Sequence, residues 1–138
     1  MNGVFATAVH ALVYLANHPA FIDSETLAFN ACTNPARIRL VMGKLHKAKL
    51  VITKEGVKGG YQLALAPQQL DLCQVLDAVD APVVKNAWHS GGSDMNCLIS
   101  TGMASVMDGV AADLNQLCRK HLQKLTIKDL SNQIFAKK

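Results

Sequence analysis

Residues 24–65 read SETLAFNACTNPARIRLVMGKLHKAKLVITKEGVKGGYQLAL, and the hydrophobic period changes within that span. A short helix is expected to start near Asp23 or Ser24, either of which suits an N-cap, and to run to about Ala31. Thr33-Asn34-Pro35 follows. Asn34 is a good cap, and Pro35 fits the first helical position, where the N–H that proline lacks would go unused. The next helix is expected to reach about Lys47. Ile38, Val41, Met42, Leu45 and Ala48 form its apolar stripe, while Ala36, Arg39, Leu40, Gly43, Lys44, His46 and Lys47 fall on the other side. The period then shortens to two. Residues 50–54 read as a strand rich in β-branched side chains, residues 55–60 as a turn with three glycines, and residues 61–65 as a returning strand. Helix, turn, amphipathic helix and hairpin make a winged helix-turn-helix, so the expected fold is mainly α with a small β-hairpin.

The flanks extend this unit. Upstream, Phe5, Ala8, Val9, Leu12 and Leu15 share one face of a first helix that His18-Pro19 ends. Downstream, Asp71 with Gln74 forms a capping-box pattern ahead of a short helix to about Val79. Residues 81–97 are expected to form a loop. From about residue 98 a long helix runs to about Lys124, and Met103, Met107, Val110, Leu114, Leu117 and His121 recur along it at spacings of four and three. That heptad-like seam suits packing against another helix. Thr126, with Asp129 three residues later, caps a final helix ending near Phe135. The expected division is residues 1–80 as the winged domain, 81–97 as a loop and candidate effector region, and 98–138 as the dimerisation helix and final helix.

Charge separates these parts. The 138-residue chain carries a net charge of only +4. Arg37, Arg39, Lys44, Lys47, Lys49, Lys54 and Lys58 all lie between Pro35 and Tyr61, against Glu55 alone. A basic patch on a near-neutral body calls for an anionic partner, most commonly nucleic acid. The first basic residue is Arg37, so the apolar N-terminus lacks the basic start of a signal peptide. No apolar run reaches membrane-spanning length. Cys32, Cys73, Cys97 and Cys118 are scattered without a CxxC pair, as expected of reduced thiols in a cytoplasmic protein. No Gly-x-Ser-x-Gly, P-loop or HExxH motif is present, and Ser90, His89 and Asp94 sit in a loop poorly suited to hold a triad. An enzyme is not expected.

The groove geometry of duplex DNA assigns roles to the patch. A helix in the major groove presents its outward residues to base edges, and a hairpin beside it reaches the backbone or minor groove. Ala36, Arg37, Arg39, Leu40 and Gly43 are the candidates for base-edge contact, with Asn34 at the helix start. Lys44, Lys47, Lys54 and Lys58 are candidates for phosphate contact, and Gly59, Gly60 and Tyr61 for shaping the wing. The alternative is a winged-helix protein-interaction module whose basic face is idle. Steep salt dependence of binding marks the DNA binder.

The chain also resembles the Rrf-two family of bacterial winged-helix regulators, of the IscR, NsrR and CymR types. The matching pieces are residues 5–16 (FATAVHALVYLA), 45–51 (LHKAKLV), 56–63 (GVKGGYQL) and 72–81 (LCQVLDAVDA). The resemblance implies a homodimer with a long dimerisation helix that binds a roughly palindromic operator, usually to repress transcription. Three positions depart from the family pattern. Glu55 stands where the wing often carries Arg, Lys49 where the helix end often carries Gly, and Arg39 where some members are acidic or neutral. If Lys49 ends the helix in a left-handed conformation, it does so under strain.

Several relatives hold an iron–sulfur cluster on three cysteines in the loop before the long helix. Here that region contains only Cys97, so no such cofactor is expected. Three sensing readings stay open. Cys97 is a redox thiol at a helix start. Alternatively, His89, Cys97, Cys118 and His121 bind a metal. Or a small effector occupies a cleft lined by Trp88. Cys32 and Cys73 are expected to be buried and inert.

Overall fold

The computed structural model describes residues 2–136. Six helices, α1 (Gly3–Ala16), α2 (Ser24–Asn30), α3 (Pro35–Lys47), α4 (Leu72–Val79), α5 (Leu98–Leu122) and α6 (Ile127–Phe135), surround a hairpin of β1 (Val51–Lys54) and β2 (Gly60–Leu63). A 3-10 turn at Pro67–Gln69 leads into α4. The fold is therefore mainly helical with a small hairpin, as the periodicity implied.

Side-chain caps set most helix starts. Asp23 accepts the Thr26 N–H at 2.7 Å and begins α2. Asn34 accepts the Arg37 N–H at 2.8 Å ahead of Pro35. Reciprocal capping boxes form at Asp71 with Gln74 and at Thr126 with Asp129. Each satisfies backbone donors that a helix start would otherwise leave open.

The core lies among α1, α3 and α4, with α2, β1 and α6 closing it. The α3 stripe supplies its centre: Ile38, Val41, Met42 and Leu45 are all fully buried. Ala48, the last residue of the expected stripe, is instead the exposed C-cap, because the chain turns away there. Lys49 performs that turn at φ +65°, in the left-handed region, and its N–H closes onto the His46 carbonyl. A non-glycine residue in this conformation stores roughly 1 kcal/mol of strain. Cys32 also departs from expectation. It lies in the turn after α2 at φ +55° and is exposed, whereas Cys73 on α4 is buried as anticipated. The α2 helix stops at Asn30, and the Thr33 N–H caps back to the Ala28 carbonyl, which turns residue 32 outward.

The hairpin pairs Val51 with Leu63, Ile52 with Gln62, Thr53 with Tyr61 and Lys54 with Gly60. It gains a further rung on its other edge from the segment before α2: Ile22 and Tyr61 exchange both backbone hydrogen bonds, at 2.9 and 2.8 Å. Gly60 makes this approach possible. Its φ is +141°, and a Cβ there would lie 2.2 Å from the Ile22 carbonyl oxygen.

The α5 helix differs from the others in burying none of its 25 residues. Polar contacts tie one side of it to the preceding loop and to α4. Asn115 pairs with both the N–H and the carbonyl of Val84, each at 2.8 Å, and Arg119 is ion-paired to Asp77. After α5 the chain returns to the winged unit. The Leu72 N–H bonds to the Leu125 carbonyl and the Ile127 N–H to the Leu70 carbonyl, both at 2.9 Å. Ile127 is fully buried, and α6 packs on α1, where Asn17 donates to Ser131 at 2.9 Å.

Candidate nucleic-acid interface

Packing divides α3 lengthwise. With the stripe turned inward, Ala36, Arg37, Arg39, Leu40, Gly43 and Lys47 are exposed, and Lys44 is half-buried. Leu40 remains 60% exposed, unusual for a leucine in the middle of a helix. Beside Gly43 nothing lies within 4 Å of where a Cβ would stand, so the helix surface is open to close approach there. Asn34 is exposed, but its side-chain oxygen is occupied in capping the helix.

The two arginines are held differently. Arg39 Nη2 donates to Glu25 Oε1 at 3.1 Å, an ion pair between α3 and α2. The Arg37 guanidinium lies over the first residue of α1, with Nη2 2.7 Å from where a Cβ on Gly3 would be. In the wing, Lys54 and Lys58 are exposed, and Lys54 Nζ stands 5.6 Å from the centre of the Phe21 ring, within cation–π range. Glu55 is exposed beside them. Gly59, Gly60 and Tyr61 are half-buried: Gly59 closes the turn onto Gly56, while Gly60 and Tyr61 hold the hairpin to the Ile22 segment. Glu25, Phe21 and the fully exposed wing-tip Val57 were not among the residues picked out from sequence. For Val57 the signal was present, an apolar residue inside a polar glycine turn. For Glu25 and Phe21 only the tertiary contact reveals the role.

The seam residues share one face of α5. Met103 is half-buried, and Met107, Val110, Leu114, Leu117 and His121 are exposed. Ile99 and Val106 fall on the same third or so of the helix circumference, at 3.6 residues per turn, and are exposed as well. At its C-terminal end the seam runs through His121 into an apolar groove of about 1170 Å³, lined by Phe5, Val9 and Tyr14 of α1, Leu122 and Leu125, and Ile134 of α6.

The loop before α5 is stitched along the helix. His89 Nε2 lies 2.7 Å from Asp108 Oδ1, to which Asn86 also donates at 2.9 Å. These bonds, His89 first, hold the Asp108 carboxyl below its usual range. Cys97 is the exposed N-cap residue of α5, and the N–H groups of Ser100 and Ile99 lower its thiol pKa. Burial raises that of Cys73. Trp88 is 79% exposed and lines neither of the two main clefts.

A family model described as Rrf2, iron-dependent transcriptional regulator, matches residues 1–133. The chain belongs to the Rrf2 family. It is 24% identical over 135 residues to a protein named as an HTH-type transcriptional regulator, YwnA of Bacillus subtilis (strain 168), covering 98% of this chain and 99% of that one. The crystal structure of a protein described as a transcriptional regulator from Lactobacillus plantarum superposes with a TM-score of 0.83 at 27% identity, covering 97% of this chain and 91% of the other. The fold is also shared with T. potens IscR, at a TM-score of 0.72, 17% identity, and 97% and 87% coverage. The global cysteine regulator CymR of B. subtilis gives 0.70, 14%, and 96% of each chain. This Rrf2 protein is thus a winged-helix, DNA-binding transcription regulator, and its relatives are regulators rather than enzymes.

The family description raises the question of iron. The four thiols of this chain stand apart: Cys32 in the turn after α2, Cys73 inside the winged core, Cys97 at the start of α5 and Cys118 near its end. Among the described residues no three His, Cys, Asp or Glu side chains come together to hold a metal ion, so His89, Cys97, Cys118 and His121 do not form one donor set. The residues present do not fit a cluster held by three neighbouring thiolates.

Proposed function

We propose that this Rrf2 protein is a homodimeric repressor that works in the cytoplasm on a roughly palindromic operator. In this reading each protomer lays α3 in a major groove and its wing along the adjacent backbone. The observation that carries it is the contrast between the exposed, basic outer face of α3 and the uncovered apolar face of α5. Arg39 and Arg37 supply forked donors for guanine, with Ala36, Leu40 and Gly43 shaping the contact. Lys44, Lys47, Lys54 and Lys58 neutralise phosphates, while Gly59, Gly60 and Tyr61 fix the wing. Paired α5 helices cover the seam from Met103 to His121 and set the spacing of two half-sites.

Regulation in this reading enters through the loop at 81–97, where Cys97 and His89 are the chemically active groups, and needs no resident cluster. A small-molecule or redox effector acting there would alter how α5, together with the winged unit fastened to it, is oriented within the pair.

The test is a duplex selected from a random library by the purified protein. Affinity for it should fall steeply as salt rises, as expected when several phosphates are neutralised. Sedimentation should show a dimer, and the duplex placed across a promoter should lower transcript yield in a purified transcription system. A monomer that binds selected and random duplexes equally would overturn the proposal. A rise in transcript yield would overturn the repressor part alone.

A further inference from the structure

We propose that Glu25 is a positioning residue that aims Arg39 at one base pair of each half-site, and so sets sequence preference without touching the base. The inference rests on the reading that Arg39 meets a base edge. The structure gives each carboxylate oxygen of Glu25 a donor: Arg39 Nη2 at 3.1 Å on Oε1, and Ser24 Oγ at 3.4 Å on Oε2. Ser24 is itself buried where α2 packs on α3. Glu25 follows it in the first turn of α2, downstream of the Asp23 cap. The carboxylate is therefore held from its own helix and extends to the neighbouring one.

Stability does not account for this pair. Its side chains are 55% and 65% exposed, and pairs in that much water add little to folding. Its geometry suits recognition. A guanidinium has five N–H donors in a plane, and Glu25 occupies one side of it. The remaining donors stay available for the two acceptors that guanine presents in the major groove. Docking excludes water, and the attraction between the paired charges strengthens as the local dielectric falls. A guanidinium so restrained loses less freedom on binding than a swinging one, and it is held away from phosphates that would compete for it.

Arg37 provides an internal contrast. It lies two residues earlier, on the opposite flank of α3 beside Gly3 of α1, and has no carboxylate within ion-pairing distance among the described residues. Glu25 also carries a cost. A negative charge beside a DNA-facing helix repels phosphate, so it lowers affinity for every duplex while sharpening the choice among them.

The experiment compares the full-length wild type with Arg39→Ala, Glu25→Ala and the double variant. Each is titrated with the selected duplex, with every single-base-pair change in one half-site, and with random duplex. Arg39→Ala should flatten preference at one base pair by about tenfold, the scale of a forked arginine–guanine contact. Glu25→Ala should flatten the same base pair by about threefold or more while binding random duplex more tightly, and the double variant should match Arg39→Ala in base preference at that pair. Melting temperature should be unchanged in Glu25→Ala, since the pair is exposed. If Glu25→Ala leaves that base pair's preference intact, or lowers every duplex equally together with the melting temperature, the inference is overturned. If Arg39→Ala itself flattens no base pair, the failure lies in the reading of Arg39.

Discussion

The α3 and α5 helices carry the same kind of apolar periodicity and meet opposite fates. In α3 the stripe disappears into the core, with Ile38, Val41, Met42 and Leu45 fully buried, and only the basic side looks outward. In α5 no residue is buried, and the apolar side is the one left open. An apolar stripe therefore says that a helix face must be covered, not what covers it. For α3 the cover comes from α1, α2, α4 and β1 of the same chain. For α5 the loop and α4 take the polar side through Asn115, Asp108 and Arg119, and none of the described residues buries the seam.

The largest expected effect is on the closed helix. Leu45→Ala should lower folding stability by about 2–5 kcal/mol, the range for removing a buried leucine side chain, measured as a shift in the urea midpoint. A loss below about 1 kcal/mol would mean that α3 is not the centre of the core. Next is the open helix. Leu114→Glu should leave the fold intact but weaken self-association by roughly a hundredfold, because it places an unpaired carboxylate among apolar side chains. Sedimentation across a dilution series reads this directly, and an unchanged dimer would remove the seam from the interface.

The smallest effect concerns the two thiols that mark the closed and open regions. The Cys97 thiol is lowered by backbone N–H groups and Cys73 is raised by burial. The thiolate is the reactive form, so Cys97 should be alkylated at a lower pH than a free thiol and Cys73 only at a higher one. Mass spectrometry of a pH series of brief alkylations gives the order. Equal rates at the two sites would show that the start of α5 does not expose its cap.

Local signals in the sequence were a good guide where structure is made locally. The Asp71–Gln74 and Thr126–Asp129 boxes, the Asn34–Pro35 start and the shift from helical to alternating period near Leu50 all correspond to real boundaries. The strain anticipated at Lys49 is present as a positive φ. Less legible was everything made by segments far apart in the chain. The rung between Ile22 and Tyr61 uses backbone atoms only and leaves no trace in side-chain pattern. The return of α6 onto α1 depends on Ile127, an apolar residue in a short amphipathic helix whose pattern alone names no packing partner. Cys32 was misjudged because the end of α2 is set by a turn that no single residue announces. Of the candidate interface, the exposed residues of α3 were legible from the wheel. Their partners Glu25, Phe21 and Gly3 were not, since each lies on a different element.

The return of the chain after α5 has a mechanical consequence. The helix is pinned near its middle by Asp108, further along by Asn115 and Arg119, and at its far end by α6, which is seated on α1. A rod fastened at so many points does not swing alone; to tilt it is to turn the whole winged unit with it. In the proposed two-fold pair the rods would act as the arms of a caliper, and a few degrees between them would become ångströms between the two α3 helices. DNA holds its half-sites at a fixed pitch of about 34 Å per turn. In that pair a small push on the loop at Val84 or His89 would be measured against the duplex itself.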